Sequence, residues 1–326
     1  MLHCPLCGKS GHHGNETLPS HIFPSLEEIF KKYSPAVVRV VNFYKNDDNS
    51  IGTCVSSGFF LGTTGLIVSP LGAVTRGQQI LIENGSFSSD ADIIAMDNIT
   101  QLAILRPRDP YATKANIAFS WTGNEIIPSP TALLLAITCA TDSNPSPRLG
   151  MATGKNISFG DDYFPTQYLR SDIAAHGGMP GSPIFRCDGQ CVGMLIASIP
   201  QTGESFILPI RAIQRVVEDI VTHGHVCYAY VGIRAQLDKD GKTPYPIYVA
   251  SIISESPASN SSVHIGDHIL SFNDVPLHSI GDLFDAIFFT RPNSNIPITL
   301  QRNGETISTT ILSAQRHILP MEMAEP

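Results

Sequence analysis

The run Leu169-Arg-Ser-Asp-Ile-Ala-Ala-His-Gly-Gly-Met-Pro-Gly-Ser-Pro-Ile184 brings a carboxylate (Asp172), an imidazole (His176) and a hydroxyl (Ser182) close together among glycines and prolines. Acyl transfer uses those groups: a hydroxyl nucleophile, an imidazole to take its proton, a carboxylate to orient the imidazole, and backbone N–H groups aimed at the developing oxyanion. A dyad of Ser182 and His176 is therefore one reading of the run. A second cluster lies near the start, where Cys4-Pro-Leu-Cys7-Gly8 is followed by His12 and His13. Paired thiolates with nearby imidazoles suit zinc, the glycine allowing a tight turn between the sulfurs.

The segment Gly178-Met-Pro-Gly-Ser-Pro-Ile184 resembles the nucleophile loop of trypsin-like serine proteases of the HtrA/Deg family, which reads Gly-Asn-Ser-Gly-Gly-Pro-Leu. That alignment puts Pro180 at the serine. Proline has neither a hydroxyl nor a backbone N–H, so nucleophile and one oxyanion donor would be lost together, leaving Gly178 as the residual donor. Two further frames agree. Gly65-Leu-Ile-Val-Ser-Pro-Leu-Gly-Ala-Val74 resembles the family's histidine segment and puts Gly72 at the histidine. Gln101-Leu-Ala-Ile-Leu105 resembles the Asp-Leu-Ala-Val-Leu segment and puts Gln101 at the aspartate. The resemblance thus implies a protease scaffold with all three triad positions replaced. Ser182 falls where the family has a packing glycine and is expected to point away from the cleft, and Asp172 to hold the loop through backbone hydrogen bonds.

Composition bounds the rest. The 326 residues suffice for about two domains at ~100–200 residues each. With 42% hydrophobic and 15% charged residues the chain reads as globular. A net charge of −8, with no long Lys/Arg run, gives nucleic-acid binding no support. No apolar run approaches the ~18 residues of a membrane span, and the N-terminus lacks the basic and apolar regions of a secretory signal. The expectation is a cytoplasmic protein, although family members are often exported. Seven cysteines, an odd count, argue against a disulfide framework; Cys54, Cys139, Cys187, Cys191 and Cys227 are expected to pack as apolar residues.

The elements that would position these groups are mostly β. Residues 1–24 read as a tail carrying the cysteine pair. Ser25-Leu-Glu-Glu28 forms a capping box predicting a helix from Leu26 to about Tyr33. From Ser34-Pro-Ala-Val-Val38 to about Ser198, short β-rich runs alternate with Gly, Asn, Asp and Pro, which predicts a sandwich or barrel. The resemblance favours two antiparallel six-stranded β-barrels filling 25–224. Ile210, Ile213, Val216, Val217 and Ile220 have helical spacing.

Residues 225–313 resemble a circularly permuted PDZ domain (α+β), with Asn303-Gly304 as a two-residue hairpin turn and 314–326 as a tail. Such a domain takes an extended peptide as an added strand, its carboxylate held by loop N–H groups; here that loop is Tyr230-Val-Gly-Ile233, with Val231 and Ile233 lining an apolar pocket. The expected function is a catalytically inactive HtrA-like scaffold or regulator. It would bind peptide or protein C-termini or unfolded segments, need no cofactor and assemble as a homo-oligomer, a trimer by resemblance. Two alternatives stay open: an active endopeptidase with a rearranged site at Ser182 and His176, and a zinc-dependent interaction protein using Cys4, Cys7, His12 and His13.

Overall fold

The computed structural model describes residues 22–316, apart from 63, 76–78, 86, 110–126, 160–161, 200 and 239–245. Cys4, Cys7, His12 and His13 lie outside the described residues.

Helix α1 (Ile22–Tyr33) begins four residues before the expected start. Pro24 explains the difference: in the first turn of a helix its missing N–H has no partner to lose, so the helix runs through Pro24 and Ser25. Then six strands, β1 (Val37–Lys45), β2 (Ile51–Leu61), β3 (Leu66–Pro70), β4 (Gln79–Asn84), β5 (Phe87–Asp97) and β6 (Leu102–Pro107), close an antiparallel barrel in the order β1-β2-β3-β6-β5-β4. A second barrel follows from β7 (Leu133–Thr138), β8 (Ser146–Phe159), β9 (Asp162–Ser171), β10 (Pro183–Arg186), β11 (Cys191–Ile199) and β12 (Glu204–Pro209), in the order β10-β11-β12-β9-β8-β7.

The barrels have separate logic in their cores. Leu134, Ala136, Ile184, Leu195 and Ile207 fill the second barrel from inside. Alternate residues on the same strands, Leu135, Ile137, Phe185, Met194 and Leu208, face outward and join one continuous core with the first barrel and α1. The period of two along each strand makes this division automatic, and stacking of Tyr33 on Phe185 at 4.6 Å locks α1 onto it.

Helix α2 (Ile210–His223) ends at Gly224, whose N–H caps the Ile220 carbonyl. The third unit comprises β13 (Ala229–Tyr230), β14 (Ile233–Leu237), β15 (Ile247–Ile252), β16 (His268–Phe272), β17 (Val275–Pro276), α3 (Ile280–Phe289), β18 (Asn295–Arg302), β19 (Glu305–Leu312) and β20 (Ala314–Gln315). Its main sheet runs β14-β15-β16-β18-β19, so β14 is an edge strand, and α3 packs against it. Asn303 and Gly304, both at positive φ, turn β18 into β19. Ser279 and Asp282 form a reciprocal capping box at the start of α3.

The third unit is fastened to the barrels by buried polar contacts. Arg215 of α2, 4% exposed, donates to the carbonyls of Cys227 (2.8 Å) and Thr290 (3.2 Å) and lies within 5.1 Å of the Phe288 ring. Burial pulls its basicity below the ordinary arginine value, with the Asp219 carboxylate opposing. The Tyr228 hydroxyl donates to Asp97 Oδ2 at 2.6 Å. Burial and then the Asp97 charge push the phenol's pKa well up, which keeps it a donor. On α3, Asp285 accepts from the Gln167 N–H (2.8 Å), from Arg211 Nη2 (2.6 Å) and from the Thr166 hydroxyl.

Candidate functional site: a cleft between the barrels and an open sheet edge

The loops between β3 and β4, β5 and β6, and β9 and β10 meet at the junction of the barrels. They surround a cavity of about 490 Å³ whose lining includes Cys54, Gly72, Gln101, His176, Gly178 and Pro180. The three positions separated by a hundred residues of sequence therefore share one space.

Each is held by backbone. Gly72 sits in a short 3-10 turn, Leu71–Ala73, that follows Pro70. The Leu71 N–H donates to the Gln101 carbonyl at 2.8 Å. No heavy atom lies within 4 Å of where a Cβ on Gly72 would stand, so a side chain there would meet open space. Gln101 adopts φ 59° after a turn organised by Asp97, which accepts from the Thr100 N–H at 3.0 Å and from the Thr100 hydroxyl. Its side-chain amide bends back to the Asn98 carbonyl at 2.7 Å.

The loop bearing Pro180 is clamped on both sides. The Pro180 carbonyl accepts the Ser57 N–H at 2.8 Å, and the Gly181 N–H donates to Leu195 O at 2.7 Å. A Cβ on Gly181 would lie 1.8 Å from the Ser57 carbonyl oxygen, and its φ is 95°, so only glycine lets β2 approach this closely. Ser57, fully buried, donates its hydroxyl to the Gly178 carbonyl at 3.0 Å while accepting the Cys139 N–H at 3.1 Å. Met179, also fully buried, anchors the loop in the second barrel's core.

His176 is exposed on the cavity wall. Ser182 is fully buried and donates to the Met179 carbonyl at 2.6 Å, and it is not part of the cavity lining. The structure therefore separates those two groups. Asp172 accepts the Met151 N–H of β8 at 2.5 Å.

The cysteine expectation needs correction at Cys54 and at Cys227, which is half-buried outside the hydrophobic cores with its thiol 3.6 Å from His225 Nε2, whereas Cys187 and Cys191 pack against the core. Cys139 is buried, and burial pushes its thiol up to about 12. Cys54, however, is half-buried and lines the cavity, because the first half of β2 pairs with β1 alone and meets β3 only from Phe59 onward. The cysteines of the described residues are unpaired, and among those residues no group of three or more His, Cys, Asp or Glu is placed to hold a metal.

A second site feature lies in the third unit. Gly232, at φ 80°, is packed so closely that a Cβ would lie 2.1 Å from Ser256 Cβ. The Val231 and Gly232 carbonyls accept from the Ala258 and Ile253 N–H groups, each at 2.9 Å, which fixes the loop entering β14. Tyr230 is half-buried at its start. Val231 is 4% exposed and belongs to the unit's core, while Ile233 packs against that core from a half-buried position.

Sequence reasoning missed Ser57, the latch between β2, β7 and the Pro180 loop. Nothing in the sequence marks it, since β2 also carries Thr53 and the adjacent Ser56. It also missed Tyr228–Asp97 and Asp285, whose partners are remote in sequence.

Two closed antiparallel barrels with a cleft between them define the trypsin-like fold, here followed by a PDZ domain. The PDZ domain model matches residues 229–312. The chain is 26% identical over 298 residues to the serine endoprotease DegS of Haemophilus influenzae, covering 86% of this chain and 84% of that one. A probable periplasmic DegP-like serine endoprotease of Ectopseudomonas mendocina is 22% identical, with 86% of this chain covered but 60% of the relative. Among solved structures, the HtrA-type protease AlgW with a tripeptide aligns at a TM-score of 0.75 and 19% identity, covering 90% of this chain and 98% of that one. In sequence and fold the chain is thus similar to HtrA-type trypsin-like serine proteases that carry a PDZ domain. No described helix is long and apolar enough to cross a membrane.

Proposed function

We propose that this chain is a catalytically inactive HtrA-type protein whose work is binding. The observation that carries the reading is that Gly72, Gln101 and Pro180 share one cavity and none supplies a nucleophile, a base or a carboxylate. The relatives are named as proteases. That activity does not transfer through these three residues, because acyl transfer needs the groups they lack. At position 180 the loss includes a backbone donor, leaving Gly178 to face an oxyanion alone.

The binding site of this reading is the free edge of β14 with the Tyr230–Ile233 loop. An extended segment added there as a strand would have its carboxylate at the loop, with C-termini or unfolded segments of other proteins as the ligands. The barrels then serve as a platform, in a homo-oligomer such as a trimer. The unpaired cysteines among the described residues support a reducing compartment. A structural zinc on Cys4, Cys7, His12 and His13 is a separate proposal, tested by metal content of purified protein with and without Cys4→Ser.

The test is cleavage of an unfolded protein substrate by the folded chain, beside His176→Ala and Ser182→Ala variants. No hydrolysis by any of the three is expected. Turnover by the parent that vanishes in either variant would overturn the reading in favour of a rearranged endopeptidase.

A further inference from the structure

The outer edge of β14 carries one charged side chain. Along this strand Ile233 and Ala235 are half-buried against the PDZ core, whereas Arg234 and Gln236 are exposed on the opposite face. Gln236 is engaged, its Oε1 accepting the Tyr248 hydroxyl at 2.9 Å. Arg234 is not: among the described residues its guanidinium makes no ion pair and no side-chain hydrogen bond. Arg39, Arg108, Arg211 and Arg302 each hold a carboxylate, so in a chain of net charge −8 Arg234 keeps its charge available on the strand edge. Its cross-strand neighbour on β15 is Ser251, which brings no competing charge.

The geometry of strand addition then fixes what meets Arg234. A peptide whose carboxylate sits at the loop before Ile233 must run antiparallel to β14. Its last residue lies beside Ile233 and faces inward, and its penultimate residue lies beside Arg234 and faces outward, since side chains alternate. Directly opposed residues bring their Cβ atoms within about 4.5–5.5 Å, close enough for a charge pair.

We propose that Arg234 is a specificity-determining residue that selects peptides carrying Asp or Glu immediately before their C-terminal residue. This rests on the reading of the β14 edge as the peptide site, and the partner it fits is a protein tail with an apolar last residue and an acidic one before it.

The experiment is fluorescence anisotropy of the full chain with labelled peptides ending Ala-Val-Xaa-Val, where Xaa is Glu, Gln or Lys, and with the Glu peptide amidated at its C-terminus. Exposed ion pairs are worth little, so the Glu peptide is expected to bind about threefold tighter than the Gln peptide and the Lys peptide more weakly than either. The order inverts in Arg234→Glu and the contrast disappears in Arg234→Gln, with affinity for the Gln peptide kept. Raising the salt to about 0.5 M shrinks the contrast. Equal affinity for the Glu and Lys peptides, with weaker binding of the amide, would overturn the role of Arg234 and leave the groove standing. No saturable binding by any free-acid peptide would overturn the groove as well.

Discussion

The N–H of Leu71 donates to the carbonyl oxygen of Gln101 at 2.8 Å, so the turn bearing Gly72 and the turn bearing Gln101 are one mechanical piece. The same piece lines one cavity with Pro180.

Gly72→His, Gln101→Asp and Pro180→Ser introduced together are therefore expected to confer hydrolysis of an unfolded protein substrate. The gain should be on the order of 10²-fold or more over the parent, short of the roughly 10⁶ that a complete triad contributes. Any one of the changes alone should leave the rate at background, because triad members act as a unit. A folded triple variant with no activity would show that the three positions do not stand in triad geometry.

Ser57→Ala should cost about 1–3 kcal/mol of stability, because the Cys139 N–H and the Gly178 carbonyl would both be left buried without their partner. Urea unfolding followed by tryptophan fluorescence measures it. An unchanged midpoint would mean that the Ser57 hydroxyl is not the latch between β2 and the Pro180 loop.

Asp285→Ala removes the acceptor shared by Thr166, Gln167 and Arg211. It should lower Tm and speed proteolytic cutting between α2 and β13, with a cost of about 2–3 kcal/mol for charged hydrogen bonds lost at a half-buried site. Cutting as slow as in the parent would show that Arg215 and Tyr228 suffice to hold the PDZ domain.

Acid should weaken the PDZ domain through Asp267. Burial of this 1%-exposed carboxyl pushes its pKa up, but hydrogen bonds from Arg302 and the His264 N–H outweigh that and hold it below the ordinary value of 3.8. A carboxyl depressed by folding adds stability that is present above its unfolded pKa and is lost as pH falls through the folded one. Chemical unfolding at pH 7 should separate the parent from Asp267→Asn, and the gap should narrow below about pH 4. A gap independent of pH would rule the carboxylate out as the cause.

The sequence made the strands legible because short β-rich apolar runs bounded by Gly, Asn, Asp and Pro mark them even where both faces are buried, as in β7 and much of β11. It also made the Asn303-Gly304 turn legible, since its chemistry is local. Helix α1 was misjudged by four residues because Pro24 reads as a breaker, whereas in a first turn it is neutral. The cleft was legible only through its frames, the apolar neighbours of Gly72, Gln101 and Pro180, and those frames are packing residues with no catalytic content. Cys54 was hidden because a cysteine in a β-rich run gives no sign of which half of the strand is paired on one side only. Ser57 and Asp285 were hidden for a plainer reason: their partners are remote in sequence, and one chain carries no trace of who meets whom.

Helix α3 faces two ways, toward β14 and toward the second barrel, and this bears on what counts as a module here. Phe288, 4% exposed, belongs to the core of the barrels and not to that of the PDZ unit, and it packs on Tyr228 outside the matched segment 229–312. Cutting the chain at that boundary would bare Phe288 and strip Asp285 of its partners, leaving an apolar ring and an uncompensated carboxylate on one face. The segment that recognises a ligand is thus smaller than the segment that folds, and its evolution as an exchangeable cassette is constrained by a surface with no part in recognition.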